Sequence, residues 1–311
     1  MDKLAGYMHS QYAYSLREFG EPRQLPRSGG WILERPITGT SYKDAMGCYP
    51  LFTCRDWFKL HEDLEEIESQ LLSLALVTDP FGAFDQAYLV RCFQIVKPFK
   101  KHLIADLNRN IEHFVSRHHR YYAQKSLKDL QVEICEEPAR YADAWGKLYD
   151  NLINRHNIYG IRAFSKDSFR AQMGTPGVIF LVGKLGEEVI GGQLIVIHNN
   201  MAYSHLAAFS DAGYQHNASY GIYWMAIKYL QERRIRFFDL GASAGIDENA
   251  RDGLTRFKAG WSNESRTVYF CGQIFDNQKY TTICQQRNIG ITDYFPAYRK
   301  GEFINPSRQP F

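Results

Sequence analysis

Three side chains in the second half of this 311-residue chain could handle protons and charge. Asp239 ends the run Phe237 to Leu240, which reads as a short strand, and strand ends are where working groups gather in α/β proteins. It could accept a proton, or it could cap the turn at Gly241. His205 lies in Tyr203-Ser204-His205-Leu206. Strand alternation puts it on the same face as Tyr203, and its imidazole titrates near neutral pH. It could equally be a histidine satisfied within a core. Lys258 is a cation between Phe257 and Trp261, where apolar neighbours would sharpen its charge, although a solvated surface lysine has the same pattern. Anions have a candidate seat as well. The loop Ser210 to Ser219 runs into a helix N-terminus, whose free N–H groups suit phosphate near Asn217, Ser219 and Gly221, with Ser219 as the expected N-cap. An ordinary capped helix would look the same.

A second charged stretch lies in the first half. The segment from Asn110 to Lys128 carries Arg117, Arg120, Lys125 and Lys128 with His113, His118 and His119, and reads as a helix. Arg117, Arg120 and Lys128 fall near one face. That face could meet a nucleotide, tRNA or phosphorylated acceptor, or simply be solvated; Tyr121 and Tyr122 permit base stacking without requiring it. No carboxylate or cysteine shares the histidine spacing, so no metal site is expected.

The elements that must position these groups follow from periodicity. Residues 1–30 read as a polar leader loop and Trp31 to Arg35 as a strand. Asp56 to Gln70 is predicted helical, and Leu71 to Thr78, Tyr88 to Val96 and His102 to Leu107 read as strands. After a strand at Val132 to Cys135, Pro138 opens a helix to about His156, and Ser165 opens a second. Val178 to Lys184, Val189 to His198 and Met201 to Phe209 form a meander turning at Gly186-Glu187 and Asn199-Asn200. A helix from Ser219 to Arg233, the strand at Phe237 and a strand from Thr267 to Gln273 complete it. The order β-α-α-β-β-β-α-β-α-β, with an antiparallel middle and no G-x-G-x-x-G, argues against Rossmann and TIM topologies. The first half is a weaker copy, so a duplication is inferred, with lobes at 1–130 and 131–311.

That order is shared by GNAT acyltransferases, and particular stretches resemble the FemABX-like branch. Phe238-Asp239-Leu240-Gly241-Ala242-Ser243, then Gly253-Leu254-Thr255-Arg256-Phe257-Lys258-Ala259-Gly260-Trp261, is similar to that branch's D-[FL]-G-x-S … G-[LV]-x-[RK]-F-K-x-G-[FW] segment. Tyr294 to Arg299, Ser116 to Lys125 and Leu76 to Phe81 resemble other stretches of it. The resemblance implies an α/β fold of two tandem GNAT-like lobes, each a mixed, mainly antiparallel sheet flanked by helices. It also implies an acyltransferase with its chemistry in the C-terminal lobe. Lys258 would contact the donor, and Tyr203, Asn217, Ser219, Gly221, Arg256, Phe257, Arg120 and Lys125 are the candidate donor or substrate contacts. The donor would be acyl-CoA or an acyl-carrier thioester and the acceptor an amine on a sugar nucleotide or small metabolite, with an acyl carrier protein as possible partner. The 210–219 loop lacks a basic Gly-rich pyrophosphate signature, which keeps an aminoacyl-tRNA-dependent transferase open. A catalytically silent GNAT-fold binding protein is a further alternative.

Composition sets limits. Net charge is +3 with 45% hydrophobic residues, an ordered globular balance without a whole-surface nucleic-acid signature. The six cysteines form no C-x-x-C pair, so reduced thiols are expected. Residues 1–20 contain no apolar leader and no run approaches about 18 apolar residues, so a cytoplasmic protein without a membrane span is expected.

Overall fold

The computed structural model describes residues 4–156, 160, 163–242 and 253–302. In chain order the elements are α1 (Ser10–Ser15), β1 (Glu21–Leu25), β2 (Gly30–Pro36), β3 (Lys43–Gly47), α2 (Leu60–Ile67), β4 (Ser73–Val77), α3 (Gln86–Cys92), β5 (Ile95–Asp106), α4 (Ile111–Phe114), α5 (Arg117–Ser126), β6 (Gln131–Cys135), α6 (Ala142–His156), α7 (Lys166–Met173), β7 (Val178–Leu185), β8 (Glu188–His198), β9 (Met201–Phe209), α8 (Asp211–Gln215), α9 (Ala218–Glu232), β10 (Phe237–Asp239), α10 (Gly253–Ala259), β11 (Glu264–Ile274) and α11 (Asn277–Gln286).

The expected duplication is present. In one lobe β1, β2 and β3 form an antiparallel meander, α2 crosses over, β4 returns parallel to β3, and β11 pairs antiparallel with β4. In the other, β7, β8 and β9 form the meander, α9 crosses over, β10 returns parallel to β9, and β5 pairs antiparallel with β10; β6 adds an edge beside β7. Each lobe takes its last strand from a distant part of the chain. The compact units therefore divide near 99/100 and 267/268, not at 130/131. Residues 104–106 pair with β10, and residues 270–274 pair with β4.

Several elements differ from the sequence reading. Residues 1–30 contain α1 and β1 instead of only loop. Tyr88 to Val96 is mostly α3, because Asp85 accepts the Tyr88 N–H as N-cap and Tyr88, Leu89 and Cys92 bury one helical face. His102 to Leu107 is the end of the long β5. The basic helix breaks at Ser116, which caps α5 by accepting the His119 N–H. Strand β3 and helix α11 carried too weak a pattern to anticipate. All six cysteines are unpaired, five of them buried.

The lobes differ where their parallel strands part. In the first, the chain leaves β3 at Gly47 but rejoins β4 at Phe52, whose N–H donates to the Val77 carbonyl (2.7 Å) and whose carbonyl accepts from the Asp79 N–H (3.1 Å). The Phe52 ring sits edge-on to Trp57 at 5.5 Å, and Trp57 lies 4.5 Å from Phe84. Gly30 leaves room for this ring; a Cβ there would lie 2.5 Å from it. The opening between β3 and β4 is thus filled by the lobe's own aromatic core. Phe52→Ala should cost about 3–5 kcal/mol, measurable as a lower denaturant midpoint.

Candidate acyl-transfer site

In the other lobe the corresponding strands part and stay apart. Strands β9 and β10 pair over Phe237↔Met201, Phe238↔Ala202 and Asp239↔Tyr203 only, while β9 runs on to Phe209. Just past the parting, the β8–β9 register shifts from Ile195↔Ser204 to Leu194↔Leu206. His205 is therefore the extra residue of a bulge, which bends the strand locally. The result is a short stretch of β9 whose β10-side edge has no β10 partner.

The stop of β10 is written in its own residues. Asp239 Oδ1 accepts the Gly241 N–H at 2.7 Å, closing an Asx turn, and Gly241 takes φ +75°, which glycine adopts without penalty. This is the capping alternative for Asp239, and it is half of what Asp239 does. Its carboxylate also faces His102 Nδ1, at 2.8 Å from Oδ2 and 3.0 Å from Oδ1. Both residues are buried. A carboxylate only accepts, so the imidazole carries its proton on Nδ1. The β5 backbone holds the same turn, through Leu240 N–H to Leu103 O (2.9 Å) and Leu103 N–H to Gly241 O (3.1 Å). Lys258, half-buried on α10, donates from Nζ to the Ala242 carbonyl at 2.7 Å and would lie 3.2 Å from a Cβ on Gly241. The structure thus gathers Asp239, Lys258 and His102 around one turn. Ser243, the last residue of the D-L-G-A-S stretch, lies outside the described residues.

Helix α10 is held by a clasp. His119 on α5 contacts the Phe257 carbonyl through Nε2 (2.9 Å) and Ser116 Oγ through Nδ1 (2.7 Å), and the Ser116 N–H donates to Gly260 O. Burial lowers the His119 pKa, keeping the ring neutral, so Nε2–H donates and Nδ1 accepts from the serine hydroxyl. Gly260 leaves space for this ring, since a Cβ would come within 2.1 Å of it. Phe257 joins Tyr220, Tyr223, His119 and Trp261 in an aromatic cluster under α9. Arg256 projects into solvent.

The remaining sequence candidates are spread out. Tyr203 is buried and stacks on His198 at 5.1 Å. His205 is buried against α7, its Nε2 3.0 Å from Gln172 Oε1, and burial pushes its pKa down to about 3. That environment does not suit a base working near neutral pH. At the start of α9, Ser219 is not the N-cap: Asn217 takes that place in a left-handed conformation (φ 54°) with no side-chain cap bond, and Ser219 is the second helical residue. The 210–219 segment also contains α8, capped by Ser210. Gly221 is a packing residue, because a Cβ would meet Leu130 and Ser126 at 3.0 Å. On α5, Lys125 is exposed and Arg120 half-buried, with Nε buried and unpartnered among the described residues. His102 went unseen as a functional candidate in the sequence. Its partner is 137 residues away, and the local Lys-Lys-His-Leu context carries no signal of the pairing. Among the described residues no three of His, Cys, Asp and Glu gather as a metal site, and no helix is long and apolar enough to cross a membrane.

Two measurements follow from this geometry. Gly260→Ala should displace His119 and lower the melting temperature by several degrees, with a larger loss in activity from the freed α10. Burial also pushes His198 down to about 4. The unfolded chain protonates both His198 and His205 first, near 6.5, so their stability contribution is whole above that pH and is lost as pH falls toward 4 and 3. The expected slope is about 1.4 kcal/mol per pH unit for each histidine. His205→Gln, which retains an N–H for Gln172, should flatten the acid limb of a denaturation series between about pH 6 and 4.

Comparison with known proteins agrees with this architecture. Residues 113–259 match the family model described as an acetyltransferase (GNAT) domain. No curated protein sequence matches the chain. Among solved structures, FemX aligns with a TM-score of 0.65 at 12% identity, over 88% of this chain and 93% of its own. The C-terminal domain of a protein described as a lysylphosphatidylglycerol synthetase from Agrobacterium fabrum gives 0.62 at 14% identity, over 93% and 92%. L-PGS from Bacillus licheniformis gives 0.60 at 14%, over 93% and 100%. At these identities the structural likeness shows the fold, and residues 113–259 are similar to the acetyltransferase (GNAT) domain family, whose model describes transferases of acyl groups.

Proposed function

We propose that the chain is an N-acyltransferase that moves an acyl group from a CoA or carrier-protein thioester to an amine, on a sugar nucleotide or small metabolite, at the parting of β9 and β10. The observation that carries this reading is the contrast between the lobes. Phe52 closes the parting of β3 and β4, whereas β10 turns away at Asp239 and its pairing with β9 ends at Tyr203.

Acyl transfer needs a polarised carbonyl, an uncharged amine and an anchored carrier. The donor carbonyl would lie along the β9 edge, beside the turn that ends β10. The first turn of α9, at Asn217 and Ser219, would receive the carrier's phosphate. Lys258 would hold the turn after β10 and add positive charge where negative charge develops on the carbonyl oxygen. Lys125 and Arg256, both exposed, would meet the charged body of the carrier.

One surface favours a second reading, transfer from an aminoacyl-tRNA. On α5, Tyr121 is 60% exposed and stands edge-on to Tyr122 at 5.2 Å, and Tyr122 lies 4.7 Å from His118. Arg117, Lys125 and Lys128 are exposed on the same helix or just past its end. Aromatic faces among cations suit unpaired bases.

A panel of acyl thioesters and aminoacyl-tRNAs, each offered with primary amines and followed by mass spectrometry, separates the two. Thioester-dependent amide formation is expected, with Lys258→Ala about 100-fold slower and folded Phe52→Ala unchanged in kcat/KM. Transfer only from charged tRNA, with steep salt dependence, would replace the first reading by the second. Transfer from neither donor would overturn both.

A further inference from the structure

We infer that His102 is the proton acceptor for the incoming amine and that Asp239 is its positioning residue. The inference rests on the acyl-transfer reading above but assigns the base to a side chain on β5 instead of to Asp239 itself.

Four observations lead there. First, Asp239 is already engaged on both oxygens, by the Gly241 N–H at 2.7 Å and by His102 Nδ1 at 2.8 Å. Its carboxylate is 3% exposed and has little left with which to take a proton from a substrate. Second, the same pairing fixes the imidazole as the Nδ1–H tautomer, leaving the Nε2 lone pair as the acceptor. Third, His102 makes no bond through Nε2 among the described residues, and Nε2 is not one of the fully buried unpartnered atoms. His198 and Arg120 do have such sealed, unpartnered nitrogens, so the difference is particular to His102. Fourth, the ring is rigidly placed. Ile104, two residues on and therefore on the same side of β5, pairs with Asp239, and the Leu103 backbone is bonded on both sides of the turn.

The other buried histidines of this lobe lack this combination. His205 is bonded through Nε2 to Gln172 and pushed down to about 3, His198 is pushed to about 4, and His119 uses both nitrogens in the α10 clasp. Among the described residues, the charged groups at the turn are Asp239 from β10 and Lys258 from α10, with Lys100 and Lys101 preceding His102 on its own strand. The repeated lobe supports separating the two roles of the aspartate. Asp79, which follows β4 as Asp239 ends β10, makes the same Asx bond, to the Phe81 N–H at 2.8 Å. The turn is therefore common to both halves of the duplication, and the histidine pairing is what the second lobe places on it.

The step balances. The acceptor arrives as R–NH3+ and gives one proton to His102 Nε2. The resulting R–NH2 attacks the carbonyl carbon, forming the N–C bond and an oxyanion. Collapse breaks the C–S bond, with its electron pair leaving on sulfur. The second N–H proton ends on that sulfur, and the imidazolium returns its proton to solvent. The imidazolium is stabilised meanwhile by the Asp239 carboxylate against Nδ1.

Two variants test the assignment without removing the turn. His102→Asn retains an N–H for Asp239 but has no basic lone pair. Asp239→Asn still accepts from Gly241, but its amide donates to Nδ1 and forces the ring proton onto Nε2, the wrong tautomer for a base. With a donor–acceptor pair identified by the thioester panel, both should lower kcat for a primary alkylamine by about 100-fold or more while leaving KM for the donor near wild type. Hydroxylamine, which is already uncharged at neutral pH, should lose far less. Equal loss with both nucleophiles, or no loss with either, would overturn the assignment while leaving the acyltransferase reading intact. A second readout needs no turnover. Diethyl pyrocarbonate acylates an accessible, unprotonated imidazole nitrogen, so peptide mapping should find His102 modified in the wild type and at least tenfold slower in Asp239→Asn. His102 untouched while exposed His113 and His118 react would overturn the assignment whatever the substrate proves to be.

Discussion

One hydrogen bond decides where this lobe opens. The Asp239 carboxylate accepts the N–H two residues ahead, the chain turns through Gly241, and β10 ends while β9 continues. Parallel strands that part in this way create a gap inside a sheet, and unpaired main-chain groups on one side of it are costly unless something polar meets them. The bulge at His205, the clasp of His119 on α10 and the reach of Lys258 to Ala242 all lie near the parting of the two strands. Moving the turn by one residue would reverse which face of β10 carries the carboxylate and separate it from His102.

The duplicated architecture provides an internal comparison. Both lobes have a three-strand meander, a crossover helix and a parallel return. Both close an Asx turn after the return, at Asp79 and at Asp239. In the first lobe the chain comes back at Phe52 and packs Trp57 and Phe84 into the space. That trades an opening for buried aromatic surface, worth roughly 2–3 kcal/mol for a ring the size of Phe52. The second lobe keeps its aromatics, Tyr220, Tyr223, Phe257 and Trp261, beneath α9 and α10. Here they support the elements that border the gap.

Much of this was legible in the sequence, and the parts that were not have physical causes. The meander, its turns at Gly186 and Asn199, α9 and the short β10 carried strong local patterns, and the structure has them nearly as read. The D-L-G stretch and the segment after it singled out Asp239 and Lys258, which the structure places at one turn. Elements failed where local pattern and tertiary context disagreed. Tyr88 to Val96 looks strand-like by composition but is capped into a helix by Asp85. The lobe boundary was misplaced because β5 and β11 each serve the lobe that lies farther along or farther back in the chain. His205 carried the right residue type at a plausible strand position, and only the fold reveals that its Nε2 is taken by Gln172. His102 was missed for the opposite reason, since its significance exists only once β5 lies beside β10.

The central claim is that a donor occupies the gap beside β9 in the second lobe and not its filled counterpart in the first. Amide hydrogen exchange measures that directly, because a ligand seated along a strand edge slows the exchange of its amides. With a turnover-competent thioester donor present, amides from Ser204 to Phe209 should exchange more slowly while those from Phe52 to Asp79 stay unchanged. Protection confined to the first lobe, or none near β9 at saturating donor, would contradict the account.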